Sequence, residues 1–326
     1  MGVHMNRSLF FFPVLLSLVV YVGCHKNNPV GPSAPATWTQ VNSGLWDPNI
    51  NSIYVVSFFV NGSNLFAGTD SGVFLSTNNG DNWRAMNTGM PKRSIRCFAF
   101  NAPNLFAGGD SGVFLSTNSG ASWSQVNSAL PAYSVNALVF AGPNLLAGTD
   151  GGIFRSTNNG ASWSDANVGI TNALLVFAFQ LSGNQIMAGT LGGAYLSNDA
   201  GSSWTPIDTG FTGNYINVHT FAVSGTNIFA GLYTKGVYLS TNVGTSWTSV
   251  SNGLTNLGIT TLAVAGSQLY VGTDGGVFLS SNNGLSWTSI GLTEPTGGVQ
   301  ALSVSGSYLF AGTAGLHGGV WRYPLQ

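Results

Sequence analysis

Apolar residues along this chain fall in short runs cut by Gly, Asn, Asp and Ser, and the runs return in the same order. Between residues 95 and 125 the run Ile95–Phe100 is followed by Asn101-Ala102-Pro103-Asn104 and then by Leu105–Gly108. The turn Asp110-Ser111-Gly112, the run Val113–Ser116, a polar octapeptide and Trp123 complete the unit. Short apolar, β-branched and aromatic runs bounded by turn formers predict strands. The unit therefore predicts four: strand a Ile95–Phe100, strand b Leu105–Gly108, strand c Val113–Ser116, and strand d starting at Trp123.

The unit repeats. Trp83, Trp123, Trp163, Trp204, Trp247 and Trp287 each close an octapeptide: STNNGDNW, STNSGASW, STNNGASW, SNDAGSSW, STNVGTSW and SSNNGLSW. A phrase such as Leu65-Phe66-Ala67-Gly68-Thr69 precedes each of them, and a seventh copy starts at Leu309. Four strands per roughly 40 residues is the period of a propeller blade. The seventh unit ends after Val320-Trp321-Arg322-Tyr323 with no strand d behind it, whereas Trp38-Thr39-Gln40-Val41-Asn42 near the N-terminus copies Trp123-Ser124-Gln125-Val126-Asn127. The expected fold is all-β, a seven-bladed β-propeller with four-stranded blades, closed by Trp38–Asn42 pairing with the C-terminal blade. Closure removes the exposed sheet edge an open array would keep.

The octapeptide, Ser-x-Asn/Asp-x-Gly-x-Ser-Trp, resembles the Asp-box (BNR-like) repeat of sialidase-like, sortilin-like, xyloglucan-cleaving and photosystem II assembly-factor propellers. Its chemistry is that of a turn: the Asn or Asp oxygen accepts backbone N–H groups across the c–d hairpin, glycine takes positive φ, and Trp packs over the turn. Five of the six carry Asn at the third position (Asn78, Asn118, Asn158, Asn242, Asn282) and only Asp199 is acidic. That leaves too little charge for calcium, and no metal or cofactor is expected.

Composition adds an address. Charged residues are 6% of the 326, and the net charge of −1 excludes nucleic acid as a partner. Arg7 precedes the one long apolar run, Leu9–Val22, which ends in Tyr21-Val22-Gly23-Cys24. This layout predicts a secretory signal and resembles the bacterial lipobox, with Cys24 as the lipidated residue. Pro29, Pro32 and Pro35 make the next stretch an extended tether. The expected organisation is a signal peptide over 1–23, a Cys-anchored tether over 24–37 and the propeller over 38–326, in an exported lipoprotein of the outer membrane or cell surface. Cys97, in the run Ile95–Phe100, is expected to be a small buried hydrophobe.

Candidate binding residues cluster at one end of the blades, where b–c turns and d–a linkers meet. The d–a linkers vary most, carrying Trp46-Asp47-Pro48, Pro91-Lys92-Arg93, and Phe211 with Tyr215. At the second position of strand a the blades hold Val56, Arg96, Asn136, Phe177, His219, Thr260 and Gln300, a mixed column between uniformly apolar or small neighbours. Lys92, Arg93 and Arg96 form a basic cluster suited to an anionic group. Trp46, Tyr133 and Tyr215 suit stacking on a sugar or peptide. The turn aspartates Asp70, Asp110, Asp150 and Asp274 are read as turn chemistry, and His219 and His317 lack metal-ligand spacing.

The resemblance to sialidases implies an arginine triad, a Tyr–Glu pair and an Asp acid. The chain has a single glutamate, Glu294, and only Arg93 and Arg96 stand near the mouth, so that set cannot be laid on it. Two-carboxylate glycoside hydrolysis finds no obvious pair among Asp47, Asp165, Asp208, Glu294 and the turn aspartates. The expectation is a binding or assembly propeller with a protein or glycan partner at the cell envelope, attached to the membrane by its lipid. A glycan-binding or glycoside-hydrolysing surface lipoprotein is the alternative.

Overall fold

The computed structural model describes residues 36–45, 53–131, 133–171, 174–293, 297–315 and 318–325. Cys24, Trp46, Asp47, Glu294 and His317, with the signal and nearly all of the tether, lie outside the described residues.

Seven separate four-stranded antiparallel sheets make up the described chain, each in the order a–b–c–d. In blade 2 the strands are Ile95–Asn101, Asn104–Gly109, Gly112–Ser116 and Ser124–Gln125. Strand d is only two residues long and starts after the Trp, not at it. The indole N–H reaches the neighbouring blade. Trp123 Nε1 donates to the Met86 carbonyl at 2.8 Å, and the same bond links Trp83 to Val41, Trp163 to Val126, Trp204 to Ala166, Trp247 to Ile207 and Trp287 to Val250. The octapeptide Trp thus packs over its own turn, its ring 3.6 Å from where a Cβ on Gly120 or Gly244 would stand, and also latches the blade to its neighbour.

The rest of the octapeptide behaves as its chemistry demands. Asn118 Oδ1 accepts the Ser122 N–H at 2.9 Å and the Ser116 hydroxyl at 2.9 Å, while Ser116 Oγ accepts the Gly120 N–H at 2.8 Å. Two successive residues, Ser119 and Gly120, take the left-handed region. In blade 5 the first of these is Val243, at φ 54, a conformation a β-branched residue resists.

The core lies between blades. One cluster joins Phe66, Val73 and Leu75 of blade 1 to Ile95, Leu105, Phe114 and Trp123 of blade 2. Another joins Phe310 and Val320 of the last blade to Val41, Leu65 and Trp83. The N-terminal strand Thr39–Gln40 pairs with Gly319–Pro324 in the register Thr39↔Arg322, Gln40↔Trp321, closing the ring. Trp38 completes the set of latches, its indole donating to Ile290 O at 3.0 Å. Asn42 accepts the Val320 N–H at 2.8 Å, as Asn127 accepts that of Val113 at 2.6 Å.

Every strand a carries the same irregularity. Its register against strand b shifts between the first and third residues, as between Ile95 and Cys97 or Val176 and Ala178, in all seven blades. The skipped residue is the second. A bulge removes its residue from the ladder and re-aims the side chain.

A candidate binding site at the channel mouth

The seven bulge residues are the mixed column of the sequence: Val56, Arg96, Asn136, Phe177, His219, Thr260 and Gln300. Six of them, all but Thr260, line one recess of about 460 Å³ with Ser94, Asp150 and Leu175. The bulge supplies the reason for the column's variety. Paired residues of strand a must pack between blades, whereas the bulged one is freed from the ladder and in six blades faces the mouth.

The recess has two chemically distinct arcs. On blades 2 and 3, Arg96 gives Nε to Asp110 at 2.9 Å and Nη2 to the same oxygen at 2.8 Å, and Nη1 to Asn136 Oδ1 at 3.2 Å. Asn136 Nδ2 passes the chain on to Asp150 at 2.8 Å and to the Val176 carbonyl at 3.2 Å. On blades 4 and 5 the His219 ring lies 4.1 Å from that of Phe177 and stacks at 4.8 Å on Tyr233. Burial lowers the His219 pKa to about 4, so at neutral pH its imidazole is an uncharged aromatic surface. Thr260 turns its hydroxyl to the Gly272 and Val299 carbonyls instead of the recess.

In blades 2, 3 and 5 the bulge residue meets the residue fourteen positions later, in the b–c turn. Arg96 meets Asp110, Asn136 meets Asp150, and His219 meets Tyr233. The turn position is Asp in blades 1, 2, 3 and 6 but Leu191 in blade 4 and Tyr233 in blade 5, the two blades whose bulge residue is aromatic. Of the mouth residues, Asp150 is expected from sequence as turn chemistry, and Tyr233, Ser94 and Leu175 carry no expectation. The matching of the two columns is the signal that finds the first two. Ser94 and Leu175 leave none, because the residue before strand a follows no pattern.

The remaining candidates are dispersed. Lys92 and Arg93 are exposed on the d–a linker and do not line the recess; of the basic cluster only Arg96 does. Tyr133 covers Gly151, where any Cβ would lie 2.1 Å from its ring, and lines a separate recess of about 210 Å³ with Asp110 and Gln125. Tyr215 is 86% exposed. Asp208 takes the place of Asn127 in its blade, accepting the Ala194 N–H at 2.6 Å, and burial raises its carboxyl pKa. Cys97 is partly buried against Val135, and burial pushes its thiol pKa up. Among the described residues no three His, Cys, Asp or Glu side chains could share a metal ion.

Among the described residues Asp150 is the one carboxylate lining the recess, and it accepts from Asn136. The arrangement offers donors and acceptors on one side and flat uncharged rings on the other. Such a surface orients a ligand by hydrogen bonding on one side and by ring contact on the other.

The chain matches no protein-family model and no curated protein. Solved structures do resemble it. The extracellular domain of a one-component system from B. thetaiotaomicron superposes with a TM-score of 0.73 at 15% identity over 88% of this chain, which spans only 39% of that one. YCF48 bound to a D1 peptide gives 0.68 at 13% identity, covering 90% of this chain and 96% of that one. The GH74 xyloglucanase from Xanthomonas campestris gives 0.67 at 19%, covering 90% and 54%. At these identities the likeness is one of fold, and the fold is the β-propeller.

Proposed function

We propose that this chain is a non-catalytic binding or assembly propeller of the bacterial cell envelope, holding a protein segment at the channel mouth on the d–a loop face. One observation carries the reading: the seven-fold bulge directs six unlike side chains into a single recess with a hydrogen-bonding arc and an aromatic arc. A folding constraint would make the blades alike at this position, as it does at the octapeptide. The octapeptides support membership of the Asp-box propellers. Leu9–Val22 and Cys24 support export and a lipid anchor, with the signal over 1–23 and the tether over 24–37. The likeness to an extracellular domain agrees with that address.

A carbohydrate ligand is the second reading, favoured by the stacked face of Phe177, His219 and Tyr233 and by the exposed Tyr133 and Tyr215. The two separate in one experiment. Crosslinked capture from envelope membranes and a glycan array are run with the wild-type chain, Asn136→Ala and Phe177→Ala. Capture of one partner that both substitutions abolish, with a blank array, supports the protein reading. Specific glycan binding lost in Phe177→Ala or Tyr133→Ala supports the carbohydrate reading. Binding that no mouth substitution changes overturns both.

A further inference from the structure

The mouth extends beyond its recess. Beside the aromatic arc stand four exposed apolar side chains, Leu174, Leu191, Tyr233 and Leu257. Backbone hydrogen bonds fix them as neighbours of the recess and of its rings. The Leu191 N–H donates to the carbonyl of Leu175, which lines the recess, and Leu257 O accepts the N–H of Gly236, in the same b–c turn as Tyr233. Blades 4 and 5 put Leu191 and Tyr233 at the turn position where blades 1, 2, 3 and 6 put aspartate. The turn does not need the apolar residue, because aspartate serves it elsewhere. What the exchange provides is an apolar shelf next to Phe177 and His219, and an exposed patch of this kind marks an interaction surface.

Shape and charge together say what lies on the shelf. The His219 ring has Phe177 at 4.1 Å and Tyr233 at 4.8 Å. Two rings cannot share one face at such distances, so both faces of the imidazole are covered. The leucines are branched and offer no plane to a sugar ring, but they enclose another aliphatic or aromatic side chain. Across the recess the Arg96 charge is met by Asp110. Arg96 spends its Nε hydrogen and one on each Nη, which leaves a second hydrogen on each Nη. Asp150 accepts from Asn136 at Oδ1, which leaves Oδ2. These remaining groups suit the carbonyl and the N–H of a peptide backbone. An anionic group there would stand beside Asp110 and Asp150, and a cationic one beside Arg96, so an uncharged ligand is favoured. Lys235 and Asp274, one charge of each sign, pack on the linker glycines Gly213 and Gly298 and do not line the recess.

We infer that the mouth takes a linear, uncharged segment of another protein. A leucine-, methionine- or phenylalanine-type side chain of that segment lies on the shelf of Leu174, Leu191, Tyr233 and Leu257, and its backbone amides meet Arg96 and Asp150. The inference rests on the reading of the mouth as a protein-binding site and adds which kind of segment it holds. Contact through apolar side chains and backbone amides predicts binding that salt leaves unchanged.

The test is selection of short displayed peptides, from pools biased to uncharged, acidic or basic residues, against the full-length chain. The expected result is enrichment of uncharged peptides that carry leucine, methionine or phenylalanine, with the same affinity at low and high salt. Leu191→Asp should weaken a selected peptide about tenfold. Aspartate stands at this turn position in blades 1, 2, 3 and 6, so the melting temperature should not change. Leu257→Ser replaces that variant should its melting temperature fall. Leu285→Ser, exposed on the blade 6 octapeptide, should leave binding as it is. Selection of acidic or basic peptides with salt-sensitive affinity would overturn the inference and leave the protein-binding reading standing. So would selected binding that neither shelf variant weakens. A blank selection overturns it as well. Capture of a partner from envelope membranes would then point to a folded surface, and failure of that capture would remove the reading on which the inference rests.

Discussion

The octapeptide turn and the strand a bulge each occur once per blade, yet they carry opposite information. In the turn, Asn118 and Ser116 spend their side-chain oxygens on three hydrogen bonds inside one hairpin, and the same atoms do so in every octapeptide. In the bulge, the skipped residue leaves the ladder, and in six of the seven blades its side chain lines the mouth recess. Seven blades accordingly hold seven different residues there. Uniformity marks where the fold consumes the side chain, and variety marks where it releases it. That contrast supports a binding role for the bulge column.

The comparison breaks most severely where the repeat is completed from the far end of the chain. Deleting residues 36–42 removes the Trp38 latch, the Val41 packing and the Asn42 bond to Val320, and exposes the outer edge of the last blade. At roughly 1.5–3 kcal/mol for each large apolar side chain returned to water, this is the largest loss expected. Thermal unfolding should show a melting temperature lower by about 10 °C or more, and a shift within experimental error would sink the closure. Trp163→Ala should come next. Its indole is buried and bonded to Val126, and truncation at such a site costs about 3–5 kcal/mol. Asn136→Ala in the bulge of the same blade should cost less than about 1 kcal/mol by the same measurement, because its partners are part-exposed. Equal losses would erase the distinction between the two positions.

Much of this was legible in the sequence, for a reason the two positions share. The spacing of the Trp residues, the missing last strand d and its copy at Trp38 are all consequences of hydrogen bonds that repeat identically, so they print the same letters each time. The column Val56 to Gln300 was legible as an exception, although its cause, the bulge, was not. A one-residue register shift leaves the apolar alternation of strand a intact on both sides. The inter-blade hydrogen bond of the octapeptide Trp was hidden, because its partner is a backbone carbonyl in another blade and a carbonyl has no letter. Lys92, Arg93 and Arg96 are neighbours in sequence, yet the linker and the strand send them to different places. Sequence proximity stood in for spatial proximity and failed at the strand boundary.

Val243 sharpens the contrast from within the turn. It holds φ 54 where other blades use Asn79, Ser119, Asn159, Ala200 or Asn283. Val243→Asn should stabilise the chain by about 1 kcal/mol, the cost a side chain branched at Cβ pays in the left-handed region. Its partial packing against the blade 5 core takes something back. A destabilised variant in chemical denaturation would mean that packing, not hydrogen bonding, decides this position as well.

The smallest effect separates the two positions by pH. Asp199, the one acid at the third octapeptide position, is held down to about 2, first by the Ser203 hydroxyl, while burial holds His219 at the mouth to about 4. Both are depressed in the folded chain, so in both cases the unfolded chain takes up its proton first as pH falls. The His219 contribution is whole above its ordinary value of 6.5 and is lost between there and about 4. That of Asp199 is whole above 3.8 and is lost toward 2. Asp208, whose carboxyl is raised, acts in the opposite sense and gains stability as pH falls. Raw stability curves therefore blur the windows, and the informative quantity is the difference between wild type and variant. His219→Gln should flatten the stability profile between pH 6.5 and 4 and leave it unchanged below. Asp199→Asn should do so only below about pH 4. The slope removed has a ceiling of about 1.4 kcal/mol per pH unit for one proton, and the exposure of Asp199 keeps its share well under that. A His219→Gln profile that parallels wild type throughout would mean that the imidazole is not held among Phe177 and Tyr233, and the aromatic arc of the mouth would lose its central member.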